Sequence, residues 1–170
     1  MIQIRKATEA DLPGMLEIYN DIICNTTAVY DYEPQSISVR KNWFAVKHAA
    51  GFPVFVVEAD GLVIGFGSIG PFRNWAAYKY SVENSIYVSA AHRGKGAGKL
   101  LLPYLIESAS EMNMHTIIAG IDDSNTSSLR LHKSFGFEEV ASFKQVGYKF
   151  NRWLNLKFLQ LILPTPYHPE

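Results

Sequence analysis

Between Val88 and Lys99 the chain carries Gly94, Gly96 and Gly98 at alternate positions, with Arg93, Lys95 and Lys99 among them and no acid. Glycines lack the Cβ that keeps a ligand away from backbone N–H groups. If such a loop opens a helix, the unpaired N–H groups of the first turn and the helix dipole favour an anion. The whole chain balances 16 Lys+Arg against 16 Asp+Glu, so this local excess of positive charge points to a phosphate or pyrophosphate cradle and not to solvation alone. Two common cradles do not fit. A P-loop needs Ser or Thr after its lysine, and Leu100 follows Lys99. A dinucleotide fingerprint needs G-x-G-x-x-G in the first βα unit, whereas G-x-G-x-G stands here late in the chain. A second chemistry-bearing residue is Glu83, enclosed by Val82 and Ile86 and sharing a strand face with Ser85 and Tyr87. A carboxylate within a central strand is costly unless it is hydrated on an open sheet face, paired, or functional.

The elements that must position these residues follow from periodicity. Ile2 and Ile4 alternate with polar residues as in a strand, and Thr8 caps a helix carrying Leu12, Met15, Leu16 and Tyr19. Asn20 to Pro34 is polar and β-branched and is expected to be a loop, before a second helix capped by Ser36 that ends near Gly51. Val54–Glu58 and Leu62–Ile69 form a hairpin about Asp60-Gly61. A strand over 80–88, the glycine loop, a helix from about Lys99, a strand over 115–120, a helix over 125–134, and strands over 137–147 and 152–163 complete the order β α α β β β α β α β β. Hairpins first and βα crossovers later predict a mixed sheet in an α/β (α+β) domain.

A chain of 170 residues suits one core, here residues 1–163, with the proline-rich 164–170 as a tail. Zero net charge removes the broad basic field on which non-specific nucleic-acid binding relies. Cys24 has no partner, which excludes a disulfide framework within one chain and suits a reducing compartment. His48, His92, His115 and His168 lack metal-ligand spacing, so no metal is expected. The N-terminus reads as a strand and not as a signal peptide, and no stretch approaches the roughly 20 apolar residues of a membrane helix. These features together lead to the expectation of a cytoplasmic protein.

The spacing Arg93-x-x-Gly96-x-Gly98 between a strand and a helix resembles the acetyl-CoA motif of the GNAT N-acetyltransferases, and the element order resembles that fold along nearly the whole chain. Asn125 opening a helix, followed by Leu129, Leu131 and Phe135-Gly136-Phe137, is similar to a second signature of that superfamily. The resemblance implies a mixed sheet of about seven strands flanked by about four helices. It also implies that Ile86, Tyr87 and Val88 pair with pantetheine through their backbone, that Arg93, Gly94, Lys95, Gly96, Ala97, Gly98 and Lys99 hold the pyrophosphate, and that Asn125 contacts the cofactor arm. Within the superfamily, the segments 80–88, Leu131-His132, Gly147-Tyr148-Lys149, Gly70-Pro71-Phe72-Arg73 and the Trp153 strand resemble the phosphinothricin and methionine sulfoximine acetyltransferase group. A homodimer is implied by the same likeness.

Acetylation of an amine by a thioester requires a neutral amine, a stabilised oxyanion and a proton for the departing thiolate. Glu83 is the candidate general base, directly or through water. His132 stands where many of these enzymes carry a tyrosine; it can donate a proton or serve as a packing or capping residue. Tyr148 is the rival donor or an aromatic wall. Arg73 can clamp a carboxylate bidentately or lie on the surface stacked against Trp75. Tyr30, Trp75, Tyr78 and Ser85, with Arg73 and Glu83, are the expected acceptor-side residues. The expected activity is therefore acetyl transfer from acetyl-CoA to a small amino-acid-like amine through a ternary complex. Acetylation of protein N-termini or polyamines, or a non-catalytic CoA-binding sensor, are the alternatives; the segment around Arg73 lacks the acidic cluster a polyamine requires.

Overall fold

The computed structural model describes residues 2–165; Met1 and residues 166–170, with most of the expected tail and His168, lie outside the described residues. Strands β1 (Ile2–Lys6), β2 (Val54–Ala59), β3 (Leu62–Pro71), β4 (Ser81–Val88), β5 (Thr116–Asp122), β6 (Glu138–Lys149) and β7 (Arg152–Ile162) form one sheet in the order β1-β2-β3-β4-β5-β7-β6. Helices are α1 (Leu12–Asn25), α2 (Ile37–Ala49), α3 (Ala97–Glu111) and α4 (Thr126–Ser134). The sheet is mixed as expected: β4 and β5 are parallel and the other pairs antiparallel. No helix among the described residues is long and apolar enough to cross a membrane.

Both faces of the sheet are covered, which is why β2 and β3 read as continuous apolar runs. Val54, Val56 and Phe66 pack against Leu12, Met15, Ile18 and Ile22 of α1. On the opposite face Phe55, Val57, Ile69 and Val82 pack against Leu101, Leu102 and Leu105 of α3. Asp60 and Gly61 both take positive φ, as an Asp-Gly hairpin turn requires.

Helix α1 continues to Asn25, five residues beyond the start of the loop expected at Asn20. Ile18, Ile22 and Ile23 are buried, so burial of the apolar stripe outweighs the β-branched composition. The end of α1 is held from outside: the buried ammonium of Lys149 donates to the carbonyls of Ile23, Thr26 and Val29 at 2.6, 2.9 and 2.8 Å. Three carbonyl acceptors satisfy all three donors of one lysine. The segment after α1 is thereby bolted to β6 and passes along the site described next.

Candidate active site

The site originates in a fork of the sheet. β4 pairs with β5 only from Ser81↔Thr116 to Glu83↔Ile118, after which β4 runs on to Val88 alongside β3 alone. β5 meanwhile stays paired with β7 through Asp122↔Leu156. The β5-facing edge of Asn84–Val88 therefore has no strand partner among the described residues, and its backbone groups are offered to a ligand. Two cavities open there, of about 420 and 790 Å³, and both are lined by Ala28, Ile86, Tyr87, Asn125 and Ser128.

The larger cavity has Arg93, Gly94, Gly96, Ala97, Gly98 and Lys99 in its wall, together with Val88 and Asn125. Gly96 is the N-cap of α3 with φ +92°, and Gly94 has φ +75°; a Cβ at either would meet no protein atom within 4 Å, so both face open space. Helix α3 starts at Ala97, two residues earlier than expected, which places the unpaired N–H groups of its first turn at the cavity. Gly98 has a different reason. A Cβ there would lie 2.8 Å from Leu131 Cδ2, so this glycine admits the side chain of α4. Arg93 Nε donates to the Val88 carbonyl at 3.3 Å, and its guanidinium lies 3.6 Å from Asp21. Asn125 caps α4, its Oδ1 accepting from the Ser128 N–H at 3.2 Å. Lys95 does not line the cavity.

The smaller cavity holds Glu83, Arg73, Asn84, Ser85, Tyr30 and His132. Glu83 is half-buried, and burial raises its carboxyl above the ordinary 4.5, opposed by the positive charges of Arg73 and Lys47. Arg73 stacks on the Phe72 ring at 4.4 Å and not on Trp75, and its Nη1 donates to the Phe72 carbonyl at 3.2 Å. Tyr30 donates from its hydroxyl to Asp122 Oδ2 at 2.7 Å, with the Asn155 carbonyl 3.1 Å from the same oxygen, which fixes its ring as a wall over Gly147. Asp122 in turn accepts from the Ser124 N–H and hydroxyl.

His132 is 3% exposed, and its ring nitrogens are both engaged within the protein. Nδ1 lies 2.9 Å from the Ser128 carbonyl, which can only accept, so Nδ1 carries the hydrogen. Nε2 then accepts from Asn84 Nδ2 at 2.9 Å. Burial lowers the ring's affinity for a proton below the ordinary 6.5. This arrangement suits the packing alternative of the sequence reading, with the ring still in the wall of the smaller cavity. Three other expected site residues stand apart from the cavity. Tyr148 is half exposed with its ring against Trp153 at 5.1 Å, and Trp75 and Tyr78 lie on the exposed turn before β4. Sequence reasoning also missed Asn84, whose Oδ1 is buried and has no partner among the described residues, and Lys47, which reaches the neighbourhood of Glu83 from α2. A polar residue inside an apolar strand was the available signal for Asn84; nothing local marks Lys47.

A forked sheet with a helix N-terminus at one end of the gap and a half-buried carboxylate at the other suits a long, anionic ligand whose far end lies near a candidate proton acceptor. The chain belongs to the GNAT acetyltransferase family, whose domain description matches residues 4–156. It is 44% identical over 168 residues, covering 98% of each chain, to an L-methionine sulfoximine/L-methionine sulfone acetyltransferase of Pseudomonas aeruginosa. It is 31% identical to a phosphinothricin N-acetyltransferase of Streptomyces coelicolor, over 94% of this chain and 95% of the relative. Among solved structures, an acetyltransferase from Salmonella typhimurium with its cofactor acetyl-CoA superposes with a TM-score of 0.97 at 40% identity, over 99% of this chain and 98% of that one. The protein is thus an acetyl-CoA-dependent N-acetyltransferase.

Proposed function

We propose that the protein acetylates the α-amino group of a small amino-acid-like acceptor of the methionine sulfoximine, methionine sulfone or phosphinothricin type. The observation that carries this reading is the presence of one guanidinium, Arg73, and the carboxylate of Glu83 in the wall of a single cavity at the fork; the second carboxylate there, Asp122, is already taken up by Tyr30 and Ser124. An amino acid offers the complementary pair: a carboxylate for Arg73 and an ammonium for Glu83. A polyamine has no use for the guanidinium. The names of the relatives support the same class.

Acetyl-CoA, when bound, supplies the acetyl thioester. The residues present fit it: the open edge of Ile86–Val88 suits the amide arm, and Gly94, Gly96 and the first turn of α3 with Arg93 and Lys99 suit the pyrophosphate. Asn84 lines the smaller cavity, and its Oδ1 is buried without a partner among the described residues. Glu83 takes the proton of the ammonium, directly or through a water, and the raised affinity of its carboxyl for protons brings it nearer to the working pH. Backbone N–H groups on the open edge of β4 are the donors available to the thioester oxygen. His132 holds Asn84 in orientation and gives up no proton of its own.

We further place the protein in the cytoplasm, which its lone Cys24 suits, and its working form as a homodimer through the apolar surface left on the β6–β7 hairpin: Phe143, Val146, Tyr148, Phe150 and Trp153 are all exposed. Sedimentation analysis checks the association. The test of the function is a panel of acceptors scored by CoA release. Turnover of methionine sulfone, methionine sulfoximine or phosphinothricin well above that of spermidine and of an N-terminal peptide is expected; the reverse order sinks the substrate assignment.

A further inference from the structure

In the antiparallel pair of β3 and β4, Gly70 stands directly opposite Glu83. Opposed residues project from the same face with Cβ positions about 5 Å apart. Gly70 has no side chain, and its place is taken by another residue: a Cβ built there would lie 2.5 Å from Nζ of Lys47. The lysine descends from α2, donates to the Ile69 carbonyl at 2.6 Å, and passes the rings of Trp43 and Phe52, with Nζ at 5.5 and 6.0 Å from their centroids. On the other flank of β4, a Cβ at Gly120 would lie 3.1 Å from Glu83 Oε1. Two side-chain-free positions, one on each neighbouring strand, therefore make room for an ammonium and a carboxylate on either side of β4.

We infer that Lys47 is a positioning residue for Glu83, which keeps that carboxylate ionised and its oxygens available from one strand away. This rests on Glu83 being the base proposed above. The arrangement explains why a lysine is held where it forms no ion pair with any described carboxylate. A direct pair would occupy the Glu83 oxygens and make them poor proton acceptors; an ammonium anchored instead to a backbone carbonyl supports the charge through space and leaves the oxygens open. The charged and titratable groups that share the cavity with Glu83 or act on it are Arg73 from the segment after β3, Lys47 from α2, Tyr87 from β4 itself, His132 from α4, and the hydrogen-bonded pair of Tyr30 and Asp122, the latter at the end of β5; nearest to the carboxylate, β5 and β7 present Gly120 and Phe158. Burial lowers the Lys47 ammonium to about 8, so it is still mostly charged at neutral pH.

The experiment follows the Glu83 carboxyl directly by ¹³C NMR titration of the protein without substrates, its resonance identified by its absence in Glu83→Gln. Lys47→Met removes the charge. Gly70→Ala keeps the charge but pushes the flexible end of Lys47 aside, and it leaves α2 untouched. Both variants are expected to raise the Glu83 midpoint by about one unit relative to wild type, the lower range of the effect of a neighbouring opposite charge. The acidic limb of kcat/KM should move upward with it, at little change in the KM for acetyl-CoA. An unmoved midpoint in folded Gly70→Ala and Lys47→Met overturns the inference, and so does a loss of rate that is equal at every pH. If the midpoint moves but Glu83→Gln retains the wild-type rate, the base assignment fails while the coupling between Lys47 and Glu83 stands.

Discussion

Asn84 and His132 meet in the interior, where the carboxamide of one donates to Nε2 of the other at 2.9 Å and the ring is locked by its second nitrogen on Ser128. The pair joins β4, the strand along which the site is built, to α4, the helix that borders both cavities. Protonating the ring would set two hydrogens against each other and charge a buried group. The sign follows from the lowered proton affinity: the unfolded chain binds the proton more readily, so the stability is full above the ordinary histidine value of 6.5 and is lost as pH falls below it toward the folded value. Urea unfolding between pH 7.5 and 5 should therefore show a loss in the wild type that is smaller in His132→Phe. That variant should itself be less stable at pH 7.5 by about 1–3 kcal/mol, because Asn84 loses its acceptor. Equal pH slopes in the two proteins would contradict the neutral, buried ring.

The cradle prediction uses two glycines with the same backbone strain. Gly96 and Gly51 have φ of +92° and +76°, and a Cβ at either meets nothing within 4 Å. Gly96→Ala and Gly51→Ala should each cost about 1–2 kcal/mol of stability, the penalty of a left-handed non-glycine residue. Only Gly96 lines the larger cavity, so only Gly96→Ala should weaken acetyl-CoA in calorimetry, by roughly tenfold or more, which is about 1.4 kcal/mol. Undiminished affinity in a folded Gly96→Ala would remove the loop from the donor site.

Glu83→Gln should lower kcat by roughly 10²-fold, the scale of a lost general base, with a deficit that shrinks at high pH where the amine is already neutral. Stability should move the other way. A carboxyl with raised proton affinity favours the fold below its ordinary value of 4.5, and that contribution is lost as pH rises through the higher folded value. At pH 7 the glutamine variant is therefore expected to melt at or above the wild-type temperature, by differential scanning calorimetry. A variant both slow and clearly less stable at pH 7 would assign Glu83 a structural role.

The element order, the glycine loop before a helix and the place of Glu83 in a strand were legible because each is set by neighbours in sequence: alternation for strands, missing side chains for the loop, a carboxylate in an apolar run. What could not be read is what arrives from elsewhere. The turn Phe150-Asn151 adopts positive φ at both residues, with no glycine to announce it, because the long β6–β7 ladder holds it closed. Nothing local marks what Lys47 and Lys149 do: one fills the side-chain space of Gly70 and the other gathers three carbonyls at the end of α1. The aromatic turn around Trp75 and Tyr78 read as a pocket wall by composition, but its rings pack on Phe72 and on each other at the surface.

Acceptor choice rests on Arg73, and the structure changes how that must be tested. The guanidinium lies on Phe72 in the wall of the Glu83 cavity, and its charge also holds the Glu83 carboxyl down. Arg73→Ala therefore acts twice: it removes a clamp for the acceptor's carboxylate, and it lets the base bind its proton more tightly. The second effect is common to every amine, whereas the first is confined to those that carry a carboxylate. A charge-assisted bond is worth about 1.5–3 kcal/mol, or roughly 10- to 100-fold in KM. Measured on the alkaline plateau of the pH profile, Arg73→Ala should raise KM for methionine sulfone by that factor and leave its decarboxylated amine nearly unchanged. On the acidic limb of that profile both acceptors should lose an additional, equal factor in kcat/KM. Arg73→Lys should restore the common factor more fully than the clamp, because an ammonium supplies the charge but not the planar fork. Equal KM losses for both acceptors on the alkaline plateau would show that Arg73 serves only the base, and the preference for amino acids would have to be sought in other residues.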